Sequence, residues 1–365
     1  MSAHEMLIYV MAGFAVLGAL DRIFGNRFGL GQEFENGILS MGSLAVAMLG
    51  IICLAPVLAS LLAPVVVPVY SFLGADPAMF AGTILACDMG GAALAQEFAL
   101  TPEAAAFGGL LAGSMLGATI VFTIPVALGI LRAEDRPALA KGILCGIITI
   151  PIGLLVGGLV AGFSITMILR NLIPVVIIAA LIAFGLWKWE KAMIKGFQIF
   201  GKGVIILITI GLAAAIFESL TGYTFIPGMA SLSDGFETVG EIAIVLAGAF
   251  PLVYAVTKLL RKPLLALGKR LGINDTAAAG LIASLANSIA TFGLVKDMDE
   301  RGKVINIAFA VCAAFVFGDH MGFTAGFDPK MLPSVIAGKL AGGIAAVVVA
   351  MVLTRKQKEV SATDA

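Results

Sequence analysis

A single carboxylate interrupts an apolar stretch of this sequence, in the string ACDMGG at positions 86–91. A charged side chain at the centre of a bilayer costs about 2.5–3.5 kcal/mol on insertion scales, so one that persists there usually faces a cavity and has a partner. Gly90 and Gly91 follow directly and permit a helix break with close backbone approach. Asp88 is therefore a candidate for binding a cationic substrate or a coupling ion. The alternative is a structural carboxylate that pairs with a neighbouring helix.

A second polar group, formed by Ser284, Asn287 and Ser288, interrupts another apolar stretch. Side-chain amides and hydroxyls can hydrogen-bond a small polar ligand, so these three residues are predicted to bind substrate. The alternative is hydrogen bonding between helices, which Asn and Ser commonly provide in membranes.

An adjacent acid and imidazole, Asp319 and His320, lie in the string FGDHMGF at 317–323. Such a pair could relay a proton or hold an ammonium group, which makes both residues candidates for the substrate site. The alternative is a solvated helix end near the outer interface.

Signatures of catalysis and of cofactors are absent from the sequence. It has no HExxH, GxSxG or Walker string, and its only histidines are His4 and His320. These motifs carry the common hydrolytic and nucleotide-dependent chemistries. We therefore predict no catalytic residue, no metal site, no cofactor and no enzyme activity. The net charge of +0 gives no indication of nucleic-acid binding.

The amino-acid composition indicates which kind of secondary-structure element positions these residues. Of 365 residues, 60% are hydrophobic and 13% are charged, and the mean hydropathy is +1.06. Soluble domains are about a quarter charged, whereas a spanning helix needs about 20 predominantly apolar residues. The sequence therefore predicts an all-α polytopic membrane protein with a single transmembrane domain over residues 1–365, and a small-molecule transporter.

Lys and Arg fall in clusters, with none between Arg27 and Arg132 or between Lys202 and Lys258. Basic clusters mark cytoplasmic loops, and the last one, which includes Lys356 and Lys358, predicts a cytoplasmic C-terminus. We expect basic loops at 188–202, 258–270 and 296–303. The resulting prediction is about nine spans, near residues 6–20, 37–63, 103–131, 142–163, 165–187, 203–220, 238–257, 304–325 and 332–354.

Two further apolar segments, 76–98 and 275–295, have flanks that favour the same side of the membrane at both ends. Both are therefore predicted to be re-entrant hairpins, which are tolerated where protein or a water-filled cavity satisfies the broken backbone. The alternative is eleven plain spans with one basic loop outside.

An internal repeat supports the hairpins. Gly42 matches Gly240 at a separation of 198 residues (240 minus 42), and the same spacing recurs without gaps as far as Ile84 and Ile282. Five predicted spans lie between the copies, so the second copy is inverted. We predict inverted repeats at about 6–163 and 203–354 with a linking helix at about 165–187. Such repeats are typical of secondary transporters that work by alternating access.

The strings FAGTILACDMGG (80–91), GATIVFTIPVALG (117–129), RGKVIN (301–306) and FGDHMGF (317–323) resemble the ethanolamine-utilisation permease family. The resemblance runs over nearly the whole chain. It implies a multi-pass protein of the bacterial cytoplasmic (inner) membrane that admits ethanolamine for catabolism. Ethanolamine is mostly an alkylammonium near neutral pH, so Asp88 could hold its charge, and Asn287, Ser284 or Ser288 its hydroxyl.

Two rival functions and several properties stay open at this point. One rival is a transporter of another small amine or cation. The other is a membrane-embedded enzyme acting on an ethanolamine-containing lipid, for which Asp319 and His320 are the only candidate reactive pair. Assembly into a homo-oligomer and coupling to an ion gradient are also open.

Overall fold

The computed structural model describes residues 2–355, and every regular element in that range is helical. The prediction of an all-α membrane protein is confirmed at this level. The basic C-terminal residues Lys356 and Lys358 lie outside the described residues. In chain order the α-helices are α1 (Ala3–Ile23), α2 (Leu30–Phe72), α3 (Ala78–Ile84), α4 (Gly91–Phe98), α5 (Pro102–Ala106), α6 (Ile124–Ile130), α7 (Arg136–Ile147), α8 (Ile150–Val160), α9 (Ile165–Thr221), α10 (Leu232–Leu271), α11 (Asp275–Ala286), α12 (Ser288–Leu294), α13 (Glu300–Ala313), α14 (Asp319–Phe327) and α15 (Leu332–Leu353).

Seven helices of the described chain are long and apolar enough to cross a membrane. One of them runs from Pro102 to Ile130 and joins α5 to α6 through π-helical turns at Phe107–Gly117 and Thr119–Thr123. Such turns are often found at functional sites. At a rise of 1.5 Å per residue, a helix of about 20 residues crosses the apolar core, and several of these helices are longer than that.

Two predicted basic loops are helical instead, so the prediction of loops at 188–202 and 258–270 is wrong. The first lies inside α9, whose backbone departs from helical geometry only at Trp189. The second forms the end of α10, which continues to Leu271. Lysine and arginine are good helix formers, so a basic cluster can extend a helix beyond the apolar segment rather than end it.

The predicted span 304–325 is broken near its middle. α13 ends at Ala313 and α14 begins at Asp319, and Phe315 between them adopts a positive φ of 63°. Its amide and that of Phe317 donate hydrogen bonds to the carbonyls of Ser284 and Leu285, at 3.0 and 2.8 Å. The break is therefore held against the second predicted hairpin, and it places Asp319 at the start of a short helix.

Both predicted hairpin segments consist of two short helices whose outer ends lie together. The Asp76 carboxylate accepts hydrogen bonds from the amides of Ala78, at 2.9 Å, and Leu100, at 3.1 Å. In the second segment, the backbone N–H of Asn274 donates a hydrogen bond to the Asp299 carboxylate at 2.8 Å. Direct hydrogen bonds thus hold the beginning of each segment next to its end.

A buried ion pair connects the first half of the chain to the second. The Lys303 ammonium lies 2.7 Å from the carboxylate of Asp135, which is 2% exposed, and 2.7 Å from that of Glu300. Burial lowers the pKa of Lys303, but its contacts with Asp135 and Glu300 outweigh that effect and leave the pKa above its ordinary value. The pair therefore stabilises the contact between α7 and α13 at neutral pH.

Candidate functional site

The first predicted hairpin segment breaks at Asp88. After α3 the backbone is extended at Leu85 and Ala86, makes one 3-10 turn over Cys87–Met89, and resumes as α4. Gly90 connects the two parts with a φ of 87°, which side-chain-bearing residues rarely adopt. A Cβ at this position would also overlap the Ile51 side chain of α2. The predicted break at the glycines is therefore present, and it turns Asp88 towards the protein interior.

The second hairpin breaks at Asn287, where the backbone is extended between α11 and α12. The Asn287 Oδ1 atom accepts a hydrogen bond from the Ile289 amide at 2.7 Å and so caps α12. Within the described residues its Nδ2 group makes no hydrogen bond, and Asn287 lines a cavity.

That cavity has a volume of about 1160 Å³ and is lined by the middle of α10, by α11 from Asp275 onwards, by Asn287 and by the break before α14. Its charged and polar lining residues are Glu33, Tyr254, Thr257, Lys258, Asp275, Thr276, Asn287 and Asp319. Among the lining residues that the structure describes, three carry carboxylates and one, Lys258, carries an ammonium group. A cavity lined by one sign of charge concentrates ions of the opposite sign, so this one favours cations.

An aromatic ring in the cavity already contacts an ammonium group. The Lys258 Nζ lies 5.4 Å from the centroid of the Tyr254 ring, within the range of a cation–π interaction. The lysine side chain is exposed, so its ammonium can be exchanged for another cation. Tyr254 and Asp319 together offer an aromatic face and a carboxylate for a small amine.

The predicted pair Asp319–His320 is divided between two environments. Asp319 lines the cavity, whereas His320 is 3% exposed and points to the first hairpin, with its Nε2 atom 3.7 Å from Asp88 Oδ1. The alternative interpretation, that both residues lie at a solvated helix end, is wrong because His320 is buried. The distance is too long for a hydrogen bond, so the two residues are neighbours without a direct bond.

Cys87, Asp88 and His320 present potential metal-ligand atoms within 4.8 Å of one another. Thiolate, imidazole and carboxylate are the ligand types that zinc uses. The sequence predicted no metal site, because these residues come together only in the fold.

Lys339 is a residue that the sequence analysis missed. It lies in α15, is 1% exposed, and donates a hydrogen bond to the Ser114 carbonyl at 2.5 Å. The signal was present in the sequence, since this is the one basic residue of the apolar stretch 331–354. A lysine inside a spanning segment is a candidate functional residue by default.

The two predicted serines lie beside the cavity but do not line it. Ser284 is fully buried, and its hydroxyl lies 2.8 Å from that of Thr291, with which it shares a hydrogen bond. Ser288 is also fully buried, and its hydroxyl has no partner within the described chain. Of the predicted substrate-binding residues, Asn287 and Asp319 are thus the two that face the cavity.

Comparison with known proteins agrees with the resemblance noted in the sequence. The family model for the ethanolamine utilisation protein EutH matches residues 3–353. A "Probable ethanolamine permease EutH" of Listeria monocytogenes is 63% identical, over 91% of this chain and 89% of its own. The protein of the same name in Escherichia coli is 49% identical, over 89% of both chains.

A protein of Bacillus subtilis named "Uncharacterized protein YxeR" is 52% identical over 91% of this chain. No solved structure matches the chain. The family match covers both predicted hairpin segments and the residues that line the cavity. The chain belongs to the EutH family of ethanolamine utilisation proteins.

Proposed function

We propose that this protein is an ethanolamine permease of the bacterial cytoplasmic membrane. Two relatives that are 63% and 49% identical are named "Probable ethanolamine permease EutH", and the described residues include seven helices long and apolar enough to span a membrane. The observation that carries the proposal is the placement of Asp319 and Asn287 on one acidic cavity bounded by broken helices. In transporters, substrate sites lie where such discontinuous helices meet.

The cavity offers a complement for each end of ethanolamine. Its ammonium would bind the Asp319 carboxylate, with the Tyr254 ring as a second cation-binding surface. Its hydroxyl oxygen would accept a hydrogen bond from the Asn287 Nδ2 group, because Oδ1 already caps α12. Asp319 is favoured over Asp88 for the ammonium, since Asp319 lines the open cavity.

The proposed architecture comprises nine spans, two re-entrant hairpins and two inverted repeats. Shifting the chain by 198 residues brings α2 onto α10, α3 onto α11, and α4 onto α12, each within a few residues at both ends. Hydrogen bonds between the ends of each hairpin segment support re-entry, since the ends of a spanning segment would lie on opposite sides of the membrane. The kink at Trp189 would divide α9 into the linking helix and the first span of the second repeat.

Alternating access is supported by a difference between the repeats. Five residues that line the cavity have counterparts 198 positions earlier that are buried, at most 8% exposed: Ala55, Ala59, Ala81, Leu85 and Thr119. Ser60 and Gln96, the counterparts of Lys258 and Leu294, are exposed, so the symmetry-related pathway would be only partly closed. Lys258 is an exposed residue of the cavity lining, and basic residues favour the cytoplasm, so we propose that the cavity opens beside Lys258 to the cytoplasmic side and that the C-terminus lies on the same side.

Uptake of labelled ethanolamine into proteoliposomes containing the purified protein tests this function. Mildly acidic pH keeps the substrate protonated and suppresses leakage of the neutral amine. We expect saturable uptake beyond that of protein-free vesicles, reduced by unlabelled ethanolamine more than by other small amines. Saturable uptake of a different amine with no competition by ethanolamine would favour the rival substrate. Uptake equal to that of empty vesicles, with the protein folded and inserted, would refute the permease.

A further inference from the structure

The turn of the first predicted hairpin segment lies against the start of α14. Cys87 and Asp88 occupy the 3-10 turn between α3 and α4, and His320 lies in the first turn of α14. Potential ligand atoms of these three side chains lie within 4.8 Å of one another. Cys87 and His320 are at most 3% exposed, whereas the Asp88 side chain is 18% exposed. The cluster is therefore largely buried, and an ion can reach it at Asp88.

The His320 side chain lacks the hydrogen bonds that a buried imidazole normally makes. Within the described residues its Nδ1 atom has no hydrogen-bond partner. Its Nε2 atom lies 3.7 Å from Asp88 Oδ1, which is too long for a hydrogen bond. The ring packs against that of Phe315, with the two centroids 5.1 Å apart. Contact with an apolar ring thus orients the imidazole and leaves it available to an ion.

The charges of the three groups match those of a divalent ion. Coordination to a metal deprotonates a thiol, so the Cys87 thiolate and the Asp88 carboxylate together balance two positive charges, and a neutral imidazole adds none. The resulting complex is uncharged, which favours its burial away from water. In the part of the chain that the structure describes, the Lys339 ammonium donates to the Ser114 carbonyl and to none of these three groups.

The separations and the ligand types suit zinc. Zinc binds sulfur, nitrogen and oxygen at about 2.0–2.3 Å, which places ligand atoms about 3.4–3.6 Å apart in a tetrahedron. The 3.7 Å between His320 Nε2 and Asp88 Oδ1 is close to this spacing, and small side-chain rotations bring Cys87 into the same sphere. Calcium and magnesium prefer oxygen ligands alone, so a thiolate favours a softer ion. The fourth position of the tetrahedron would hold water.

We propose that Cys87, Asp88 and His320 bind a zinc ion, which joins the first hairpin segment to α14 and thereby inhibits transport. Both elements adjoin helix breaks, and they belong to different predicted repeats. Alternating access requires the repeats to move relative to each other, and a metal ion bound to both opposes that movement. The metal site stands independently of the proposed function, whereas the inhibition rests on it.

Binding is tested by titrating the purified full-length protein in detergent with Co²⁺, whose thiolate complexes absorb in the near ultraviolet. We expect this absorption in the wild type, its reversal by Zn²⁺, and its loss in Cys87→Ser. Asp88→Asn and His320→Gln should each weaken Co²⁺ binding about 100-fold or more, because loss of a residue that only orients a ligand already costs about 10- to 100-fold. Cys53→Ser is the matched control, since Cys53 is also a fully buried free cysteine, and it should bind Co²⁺ as the wild type does.

The melting temperature gives a second readout of binding. Zinc should raise it for the wild type and for Cys53→Ser, because a ligand that binds the native state stabilises that state, and should leave it unchanged for the three ligand variants. Wild-type protein without thiolate absorption would overturn the metal site, and this result does not depend on whether any variant folds. Absorption that persists in Cys87→Ser, or wild-type Co²⁺ affinity in His320→Gln, would overturn it equally.

The inhibition is tested by uptake of labelled ethanolamine into proteoliposomes with and without Zn²⁺. Zinc should inhibit the wild type and Cys53→Ser, and Cys87→Ser should retain its own metal-free rate. Full uptake by wild-type protein saturated with zinc would overturn the inhibition. Absence of uptake by the metal-free wild type would refute the permease and with it the inhibition, whereas the Co²⁺ titration alone decides the metal site.

Discussion

Replacing Asp319 by asparagine removes one charge from the cavity and changes little else. The amide has nearly the same size, and it can still hydrogen-bond a ligand. Two unit charges about 4 Å apart attract by about 4 kcal/mol at an effective dielectric of about 20, and desolvation of the ammonium offsets part of this. A net loss of about 2–4 kcal/mol corresponds to about 30- to 1000-fold in affinity at 1.4 kcal/mol per tenfold. We therefore expect the KM for ethanolamine to rise within that range.

Asp275→Asn is the matched control for this variant. Asp275 lines the same cavity but is exposed at the start of α11, and charges in contact with water interact by only about 0–1 kcal/mol. Its removal should change the KM less than about fivefold. Initial rates of labelled ethanolamine uptake over a range of concentrations give both values. A KM for folded Asp319→Asn no higher than that of Asp275→Asn would refute the assignment of the ammonium to Asp319.

Three further predictions concern the frame that holds the site. Gly90→Ala should abolish uptake and lower the melting temperature, because its φ of 87° costs a residue with a Cβ about 1–2 kcal/mol before any overlap is counted; wild-type activity would contradict the break. Single cysteines at 275 and 296 should both react with a membrane-impermeant thiol reagent from the same side, and reaction from opposite sides would show a full span. Lys303→Met should cost about 3–5 kcal/mol of stability by leaving the Asp135 carboxylate buried without a partner. Because the folded-state pKa of Lys303 is raised, its stabilising effect is present at neutral pH and is lost as pH rises through that value. The wild type should therefore lose melting temperature at strongly alkaline pH, and an equal loss in Lys303→Met would contradict the pairing.

The break at Asp88 was accessible from the sequence because its signal, a lone carboxylate followed by two glycines, is local. For the segment 275–295 the sequence predicted a hairpin without placing its turn at Asn287, and the break before α14 lies in a segment predicted as one continuous span. The ends of the helices were less accessible. Basic clusters suggested loops where α9 and α10 continue, since charge places a segment at the membrane surface without saying whether it stays helical.

The arrangement of the site depends on contacts between residues far apart in sequence. No local pattern places His320 beside Asp88, or shows that its chain neighbour Asp319 faces a different environment. Both residues lie in the first turn of α14, where 3.6 residues per turn direct successive side chains about 100° apart. Lys339 differs from these, because its isolation in an apolar helix was a local signal of function.

Counterflow measures the central claim most directly, because it distinguishes a carrier from a pore. Proteoliposomes are loaded with unlabelled ethanolamine and diluted into a trace of the labelled amine. A carrier whose single site faces the two sides in turn predicts transient accumulation of label above its equilibrium level, which wild-type protein should show and Asp319→Asn should lose. Entry of label that rises only to equilibrium, or does not exceed that of protein-free vesicles, would contradict transport of ethanolamine by alternating access.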